Sequence, residues 1–341
     1  MPIWEDKDEP PQPRPLPGIV DRVRGGNALP ILSNAAMLDL VLFGHDAFSQ
    51  YYARRVGYPF LLPAGITQIA NYDRHTNRTS DADCTAFYLD CVKNHIYREA
   101  HARGVAPALL QEAESQADQV GVSAFADLLG FPRFDRSADD LLMVLANLPF
   151  KTYLTTSPFT FLESALRLAG KQPVTKICRW RGPVDAPDKE LWLIEDSFTP
   201  GWERPLVFHL CGLDAHPVTQ IALPDSLALT EDDHLELLVN LAQDRGKDRA
   251  DRLPALVRGA LFDEVALLGY NLGSWAFRAI YYGLVRPTGQ DKDRRGVCCV
   301  QLPPDERARQ EKYLQGYLDR EARFEIFWGS LPEYAQALMA A

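Results

Sequence analysis

The stretch TYLTTSPFTFLESALRLAGKQP, from Thr152 to Pro173, contains a short strand, a sharp turn and a helix in direct succession. Its β-branched and aromatic start predicts a buried strand, and the apolar spacing in FTFLESALRLA predicts an amphipathic helix closed by Gly170. We expect Ser157 to cap this helix, with Pro158 in its first turn. A strand that leads straight into a helix is typical of parallel sheets covered by helices.

The same alternation continues along most of the chain. Further strands are predicted at residues 27–33, 176–180, 191–194, 206–210, 264–270, 296–302 and 323–329. Helices are predicted at residues 46–56, 138–148 with Ser137 as N-cap, 229–244 with Thr230 as N-cap, 274–285 and 303–320, followed by a short last helix. This order predicts an α/β protein with a Rossmann-like, largely parallel sheet and helices on both faces.

Two segments depart from this alternation. Residues 1–17 are rich in proline and charge, which predicts a flexible tail. Residues 58–134 contain helical patterns and no convincing strand, so we interpret them as a helical insertion. The remainder, residues 18–341, is expected to form a single α/β domain around that insertion.

Composition limits the classes of partner. The net charge is -10 with the acids dispersed, so we expect neither nucleic acid nor a membrane surface as a partner. No apolar run reaches a membrane-spanning length, and the first residues lack the pattern of a signal peptide. The six cysteines form no Cys-x-x-Cys pair, which indicates neither a zinc site nor a disulfide framework. A reducing cytoplasm is the expected location.

Four predicted strand ends carry small or polar residues. In sheets of this kind ligands bind beyond the carboxyl ends of the strands, where backbone amides and short side chains contact a nucleotide. The four clusters are Ser33-Asn34-Ala35-Ala36, Thr155-Thr156-Ser157, His209-Leu210-Cys211-Gly212 and Gly269-Tyr270-Asn271-Leu272.

Individual residues in or near these clusters have a structural interpretation beside the functional one. His209 is either a core histidine or a general base, and Cys211 is either a small buried filler or a nucleophile. Arg278, one turn into the following helix, is placed to bind a phosphate or to form an internal salt bridge.

Taken in order, these segments resemble the SIR2-like (sirtuin-type) domains of prokaryotic conflict and antiphage proteins. LTEDDHLELL, residues 229–238, is similar to their Leu-Thr-x-x-Asp-Tyr segment, and LLGYNLGSWAFR, residues 267–278, to their Leu-Gly-Tyr-Ser-Leu-x-Asp-x-x-x-Arg. TTSPFTFLESAL stands where they have Thr-Thr-Asn-Tyr-Asp, and FHLCG stands where they have His-Gly.

This resemblance implies an NAD or ADP-ribose cleft and cleavage of the nicotinamide glycosidic bond of NAD. The cofactor-binding residues that it implies are Ser33, Asn34, Thr155, Thr156, Gly269, Tyr270, Asn271 and Arg278, and the catalytic positions are Ser157, His209 and Cys211. No metal is implied, and without a four-cysteine module zinc-dependent deacetylation is disfavoured.

The catalytic positions differ from the family pattern. Ser157 replaces the asparagine, Cys211 replaces the histidine, and the glycine-rich loop is Ser33-Asn34-Ala35-Ala36. Serine lacks the two-ended amide that holds a ribose hydroxyl and a water together, and a thiol is a poor base near neutral pH.

Two hypotheses follow from these replacements, and a third stands apart from the resemblance. In the first, the chain is a catalytically degenerate component of a defence system that binds a nucleotide, or a protein partner or second copy. In the second, it is an active NAD glycohydrolase with His209 as a displaced base. An unrelated Rossmann-like nucleotide-binding domain is the third, although the chain has neither a Gly-x-Gly-x-x-Gly nor a P-loop motif.

Overall fold

The structure is a computed structural model that describes residues 21–22, 24–59, 64–134, 140–181, 189–244, 252–261, 264–272, 275–285, 297–301 and 324–340. The predicted tail, the Ser137 cap and the predicted helix over residues 303–320 lie outside the described residues.

Seven strands form one sheet in which every neighbouring pair is parallel, in the order β3-β4-β2-β1-β5-β6-β7. They are β1 (Ala28–Leu32), β2 (Thr152–Thr155), β3 (Val174–Ile177), β4 (Leu206–His209), β5 (Glu264–Tyr270), β6 (Val297–Gln301) and β7 (Phe324–Trp328). The predicted α/β fold is thus confirmed. Every residue of β1 and of β5 is buried, as expected of strands covered on both faces.

Helices cover both faces of the sheet. They are α1 (Asn34–Val41), α2 (His45–Val56), α3 (Ile66–Asn77), α4 (Asp81–Ala102), α5 (Pro107–Gln116), α6 (Val122–Leu128), α7 (Leu141–Asn147), α8 (Phe161–Leu168), α9 (Lys189–Trp192), α10 (Glu231–Asp244), α11 (Ala255–Ala260), α12 (Trp275–Ile280) and α13 (Leu331–Ala340). The core on one face joins Leu32, Tyr153 and Leu268 to α1–α8 and α13, and the core on the other joins Ile31 and Leu267 to α10–α12.

All strands run parallel, but the side of β1 on which the chain adds the next strand changes at the centre of the sheet. From β1 the chain passes to β2 on one side, whereas from β5 it passes to β6 on the other. The crevice beyond the carboxyl ends of β1 and β5 is therefore the switch point at which open α/β sheets bind their ligands.

The described part of the insertion consists of helices joined by turns and loops and contains no strand, as predicted. Its helices α3 to α6 lie between α2 and residue 134. Among them α4, with 22 residues, contacts the 3₁₀ turn Pro224–Ser226 that follows β4. The insertion thus lies near the carboxyl edge of the sheet, beside the candidate cleft.

Helix α10 begins as its sequence predicts. The Thr230 hydroxyl accepts the Asp233 amide at 3.1 Å, and the Asp233 carboxylate accepts the amides of Leu229 and Thr230 at 3.0 and 2.9 Å. A capping interaction of this kind satisfies donors that the first turn leaves unpaired.

Two local predictions are wrong. Residues 191–194 are not a strand, since Lys189–Trp192 forms a short helix and the following residues are irregular. Ser157 does not cap α8, because a turn over residues 158–160 intervenes and Thr160 occupies the N-cap position. The Ser157 hydroxyl instead accepts the Phe159 amide at 3.3 Å in the turn before the helix, and the short apolar run at residues 191–194 does not by itself distinguish a strand from a helix.

Candidate functional site

The four polar clusters predicted from the sequence lie at the carboxyl edges of adjacent strands, in the order β4, β2, β1 and β5. Backbone hydrogen bonds continue past the strand ends and hold the clusters side by side. The Ser33 amide donates to the Leu268 carbonyl at 3.0 Å, and the Thr156 amide donates to the Leu32 carbonyl at 2.9 Å. The structure therefore brings the predicted residues to one edge.

Two backbone amides in the turn from β1 into α1 donate hydrogen bonds to side-chain hydroxyls of the chain itself. The Asn34 amide donates to the Thr156 hydroxyl at 3.0 Å, and the Ala36 amide donates to the Ser33 hydroxyl at 2.9 Å. The Ser33 hydroxyl in turn donates to the Gly269 carbonyl. A helix N-terminus binds phosphate through free amides, and two amides of this first turn already have acceptors within the chain.

Gly269 accommodates the close approach of α1 to β5. Its φ is +74°, and the register between β5 and β6 shifts at this residue, as in a β-bulge. A Cβ at Gly269 would lie 2.4 Å from the Ala36 Cβ and 3.1 Å from the Ser33 hydroxyl. The Cβ of Ala36 is thus packed against a glycine on the neighbouring strand.

Two polar side chains meet at the switch point. The Asn34 side chain lies beside the buried Tyr88 phenol of α4, within hydrogen-bonding reach of it. Burial raises the pKa of Tyr88, whereas the hydrogen bond from the Asn34 side chain opposes that rise. Tyr88 was not predicted, because nothing in the sequence of α4 distinguishes it from a core aromatic residue.

Thr155 and Ser157 face the core. Both are fully buried; the Thr155 hydroxyl accepts the Ser157 amide at 3.0 Å, and the Ser157 hydroxyl accepts the Phe159 amide at 3.3 Å. These bonds shape the turn into α8. Neither side chain is exposed to the cleft, so of this cluster only Thr156 reaches the β1 turn.

His209 is part of a buried ion pair. Its Nδ1 lies 2.7 Å from the Ser157 carbonyl and its Nε2 lies 2.8 Å from Oε1 of Glu163 on α8. Both His209 and Glu163 have no exposed surface. Since neither a carbonyl nor a carboxylate donates, both imidazole nitrogens carry protons. His209 therefore offers no free nitrogen with which to act as a base.

The environment favours the charged forms of this pair. Burial by itself would lower the pKa of His209, but the Glu163 charge and the hydrogen bonds to Glu163 and Ser157 raise it overall. Burial would likewise raise the pKa of Glu163. The charge of His209 and the hydrogen bonds that Glu163 accepts from His209 and from the Thr175 hydroxyl, the latter at 2.9 Å, lower this pKa overall. The sequence analysis did not identify Glu163. The signal that could have found it is a lone acid within the apolar run FTFLESAL.

Cys211 lies against a second histidine that the sequence analysis missed. Its Sγ is 3.9 Å from Nε2 of His234, whose Nδ1 lies 2.8 Å from the Thr230 carbonyl and donates to it. Burial lowers the pKa of His234, so Nε2 is unprotonated and accepts from the thiol. Burial, with the charge of Asp233, raises the pKa of Cys211 to about 12. The pair is therefore a neutral thiol beside a neutral imidazole.

The remaining predicted residues lie at the end of β5. Tyr270 is buried with its ring 5.9 Å from that of Phe277, Asn271 is exposed, and Arg278 is partly buried on α12. Tyr270 and Phe277 belong to the core on the face of the sheet opposite the insertion.

Charged groups anchor the insertion to the sheet edge. The Asp214 carboxylate, just after β4, accepts the Val122 amide at 2.5 Å, and burial raises its pKa to about 6. Arg181 pairs with Asp81 of α4 at 3.0 Å and with Asp233 of α10 at 2.8 Å. The insertion is thereby linked through Val122 to the segment after β4 and through Asp81 to the segment after β3.

The fold and this edge define a parallel α/β protein of the Rossmann-like class. No protein-family model matches the chain, and a search of curated proteins finds no match either. Within the part of the chain that the structure describes, no helix is both long and apolar enough to cross a membrane, and no cluster of three or more His, Cys, Asp or Glu side chains is arranged to hold a metal.

Proposed function

We propose that this chain is a SIR2-like domain that binds an NAD-type nucleotide without cleaving it and serves as a binding or assembly subunit, as in a bacterial defence system. The observation that carries the loss of catalysis is the state of the two catalytic positions, His209 and Cys211, that the resemblance implied as bases. His209 has both nitrogens occupied inside the core, and Cys211 is a buried thiol whose pKa is raised to about 12. A general base needs a free lone pair near its operating pH.

Retention of a ligand is supported by the position of Asn34. This partly exposed residue begins α1 directly after β1, at the switch point where α/β folds bind nucleotides. A location in a reducing cytoplasm belongs to the same proposal, since the six cysteines of the sequence form no Cys-x-x-Cys pair.

The test combines binding with turnover. Calorimetry with NAD and with ADP-ribose is expected to show one site, and chromatography of micromolar protein incubated with NAD is expected to show no nicotinamide above the level of heat-inactivated protein. Asn34→Leu should weaken binding, whereas Asn94→Leu, at an exposed position on α4, should not. Absence of binding would contradict the nucleotide site, and nicotinamide release that disappears in His234→Ala would contradict the loss of catalysis.

The assembly role is tested separately. Light scattering of the purified chain measures its mass in solution, and affinity purification followed by mass measurement identifies complexes. A monomer that recovers no partner would contradict this part of the proposal and leave nucleotide binding in place.

A further inference from the structure

We propose that the hairpin formed by residues 215–222, in the segment after β4, is the surface through which this chain self-associates. Val218 and Ile221 of one copy pack against the same hairpin of a second copy. This inference rests on the assembly role in the proposed function and names the surface and the partner for that role. It does not depend on nucleotide binding.

The tip of the hairpin is apolar and exposed. Among the large hydrophobic side chains of the described residues, Val218 and Ile221 are the most exposed, at 83% and 66%. Single exposed apolar residues are common on protein surfaces, but these two lie three residues apart on one short loop, next to the exposed Ala222. Residues 217–223, PVTQIAL, carry no charged side chain, although charged residues make up 24% of the chain. The hairpin therefore presents apolar surface without accompanying charges.

Backbone hydrogen bonds close the hairpin at its base. Ala215 and Ala222 form an antiparallel bridge. The His216 amide donates to the Ile221 carbonyl at 2.8 Å, and the Gln220 amide donates to the His216 carbonyl at 3.0 Å. A four-residue loop thus lies at the tip, which is a common length for a hairpin connection.

The His216 side chain holds this loop from within. Its Nδ1 accepts the amides of Val218 and Thr219 at 3.2 and 3.1 Å. Since Nδ1 accepts, Nε2 carries the proton and donates to Glu190 of α9 at 3.0 Å. The imidazole therefore connects the tip of the hairpin to a neighbouring helix.

Gln220 connects the same loop to the insertion. Its Oε1 accepts the Gly121 amide at 3.2 Å, and its Nε2 donates to the Pro217 carbonyl at 3.2 Å. Its φ of +59° lies in the left-handed region, which is uncommon for residues other than glycine and asparagine. A loop that is fixed in this way before binding loses little conformational entropy when a partner covers it.

The charge of the chain identifies the partner. Each copy carries a net charge of -10, so two copies repel one another unless the surfaces in contact are uncharged. A two-fold dimer brings the same patch of both copies together, and an uncharged apolar patch is complementary to itself. A partner that recognised the hairpin through charge would find none on residues 217–223. A second copy is therefore the partner that this surface fits.

The size of the hairpin determines the expected strength of association. An interface of standard size buries about 800 Å² on each partner and involves about 20–30 residues a side. The hairpin has eight residues, so its contact is smaller than that. We therefore expect a weak dimer that dissociates on dilution.

Sedimentation velocity of the purified full chain tests the inference. Between about 1 μM and about 300 μM protein, the wild type is expected to pass from monomer to dimer. The double variant Val218→Glu with Ile221→Glu places unpaired charges in the contact and should raise the dissociation constant at least about tenfold. The matched control, Leu109→Glu with Leu168→Glu, adds the same two charges at exposed apolar residues of α5 and α8 and should dimerise as the wild type does.

Salt provides a second readout. Raising the salt concentration from about 0.1 M to about 1 M shortens the Debye length from about 10 Å to about 3 Å, which screens the repulsion between copies. An apolar contact is left intact by this screening, so the wild-type dimer should not weaken. A dimer held by ion pairs would dissociate instead, and that result would overturn the inference.

Two further outcomes overturn the inference. One is a wild type that stays monomeric over the whole concentration range, and the other is a dimer that persists unchanged in the Val218→Glu, Ile221→Glu variant. The persistent dimer leaves the assembly role of the proposed function in place, as does a monomer that recovers a different protein on affinity purification. A monomer that recovers no protein removes both. Thermal unfolding checks that the variants fold, and they are expected to melt as the wild type does because the replaced side chains are exposed.

Discussion

Removal of the Glu163 carboxylate is expected to destabilise the protein strongly. Glu163→Ala leaves the His209 imidazole in the core without a partner at Nε2, and it also removes the acceptor of the Thr175 hydroxyl. Breaking a fully buried pair on one side costs about 3–5 kcal/mol. At about 2 °C per kcal/mol, the melting temperature should fall by about 6–10 °C.

An exposed pair of the same chemistry provides the matched control. Glu190, with 74% of its side chain exposed, lies 3.0 Å from Nε2 of His216. Glu190→Ala should cost less than about 1 kcal/mol, because solvent screens surface pairs. The double variant Glu163→Leu with His209→Phe should cost much less than the sum of its single changes, since no buried charge is left unpaired.

The pH dependence of the same pair gives an independent readout. The lowered pKa of Glu163 stabilises the fold above its ordinary value of 4.5, and that contribution is lost as the pH falls through the folded-state pKa. The raised pKa of His209 stabilises the fold fully below its ordinary value of 6.5, and that contribution is lost as the pH rises through the folded-state pKa. The destabilisation caused by Glu163→Gln should therefore be largest between about pH 4.5 and 6.5.

Urea unfolding of the wild type and Glu163→Gln across this range measures the effect. Asp214 also acts on His209 and is unchanged in both proteins, so the difference between them isolates Glu163. A loss below about 1 kcal/mol in Glu163→Ala, or a difference for Glu163→Gln that does not vary with pH, would refute the buried ion pair.

Three further predictions concern other parts of the site. Because burial raises the pKa of Asp214 from 3.8 to about 6, the protonated carboxyl stabilises the fold, and this contribution is lost as the pH rises from about 4 to about 6. Asp214→Asn should flatten the melting temperature over that range, and an unchanged profile would contradict this. Gly269→Ala should destabilise the protein by about 1–3 kcal/mol more than Gly104→Ala, because both glycines have positive φ but only Gly269 would gain a Cβ clash. Denaturant unfolding of both variants measures this difference. Cys211 is 3% exposed and the pKa of its thiol is raised to about 12. Mass spectrometry should therefore show that iodoacetamide at pH 7 does not label Cys211 in the native protein and labels it after unfolding. Rapid labelling of the native protein would contradict this, because it would show an activated thiol.

The sequence by itself determined the class of fold and the edge at which the polar clusters lie. Alternating apolar runs and helical periodicity predict a parallel sheet, since each strand that leads into a helix must be covered on both faces. The ends of such strands meet at one edge whatever the strand order, so Ser33, Thr156 and Gly269 could be placed near one another in advance.

Only the tertiary structure decided what those residues face. His209 belongs to the core because Glu163, 46 residues away in sequence, meets it across the β2 to α8 turn. Cys211 faces His234 and Asn34 faces Tyr88, and neither pairing has a local pattern, because both join elements that are distant along the chain. Side-chain direction at a strand end depends on the neighbouring packing and on bulges, which a single sequence does not encode locally.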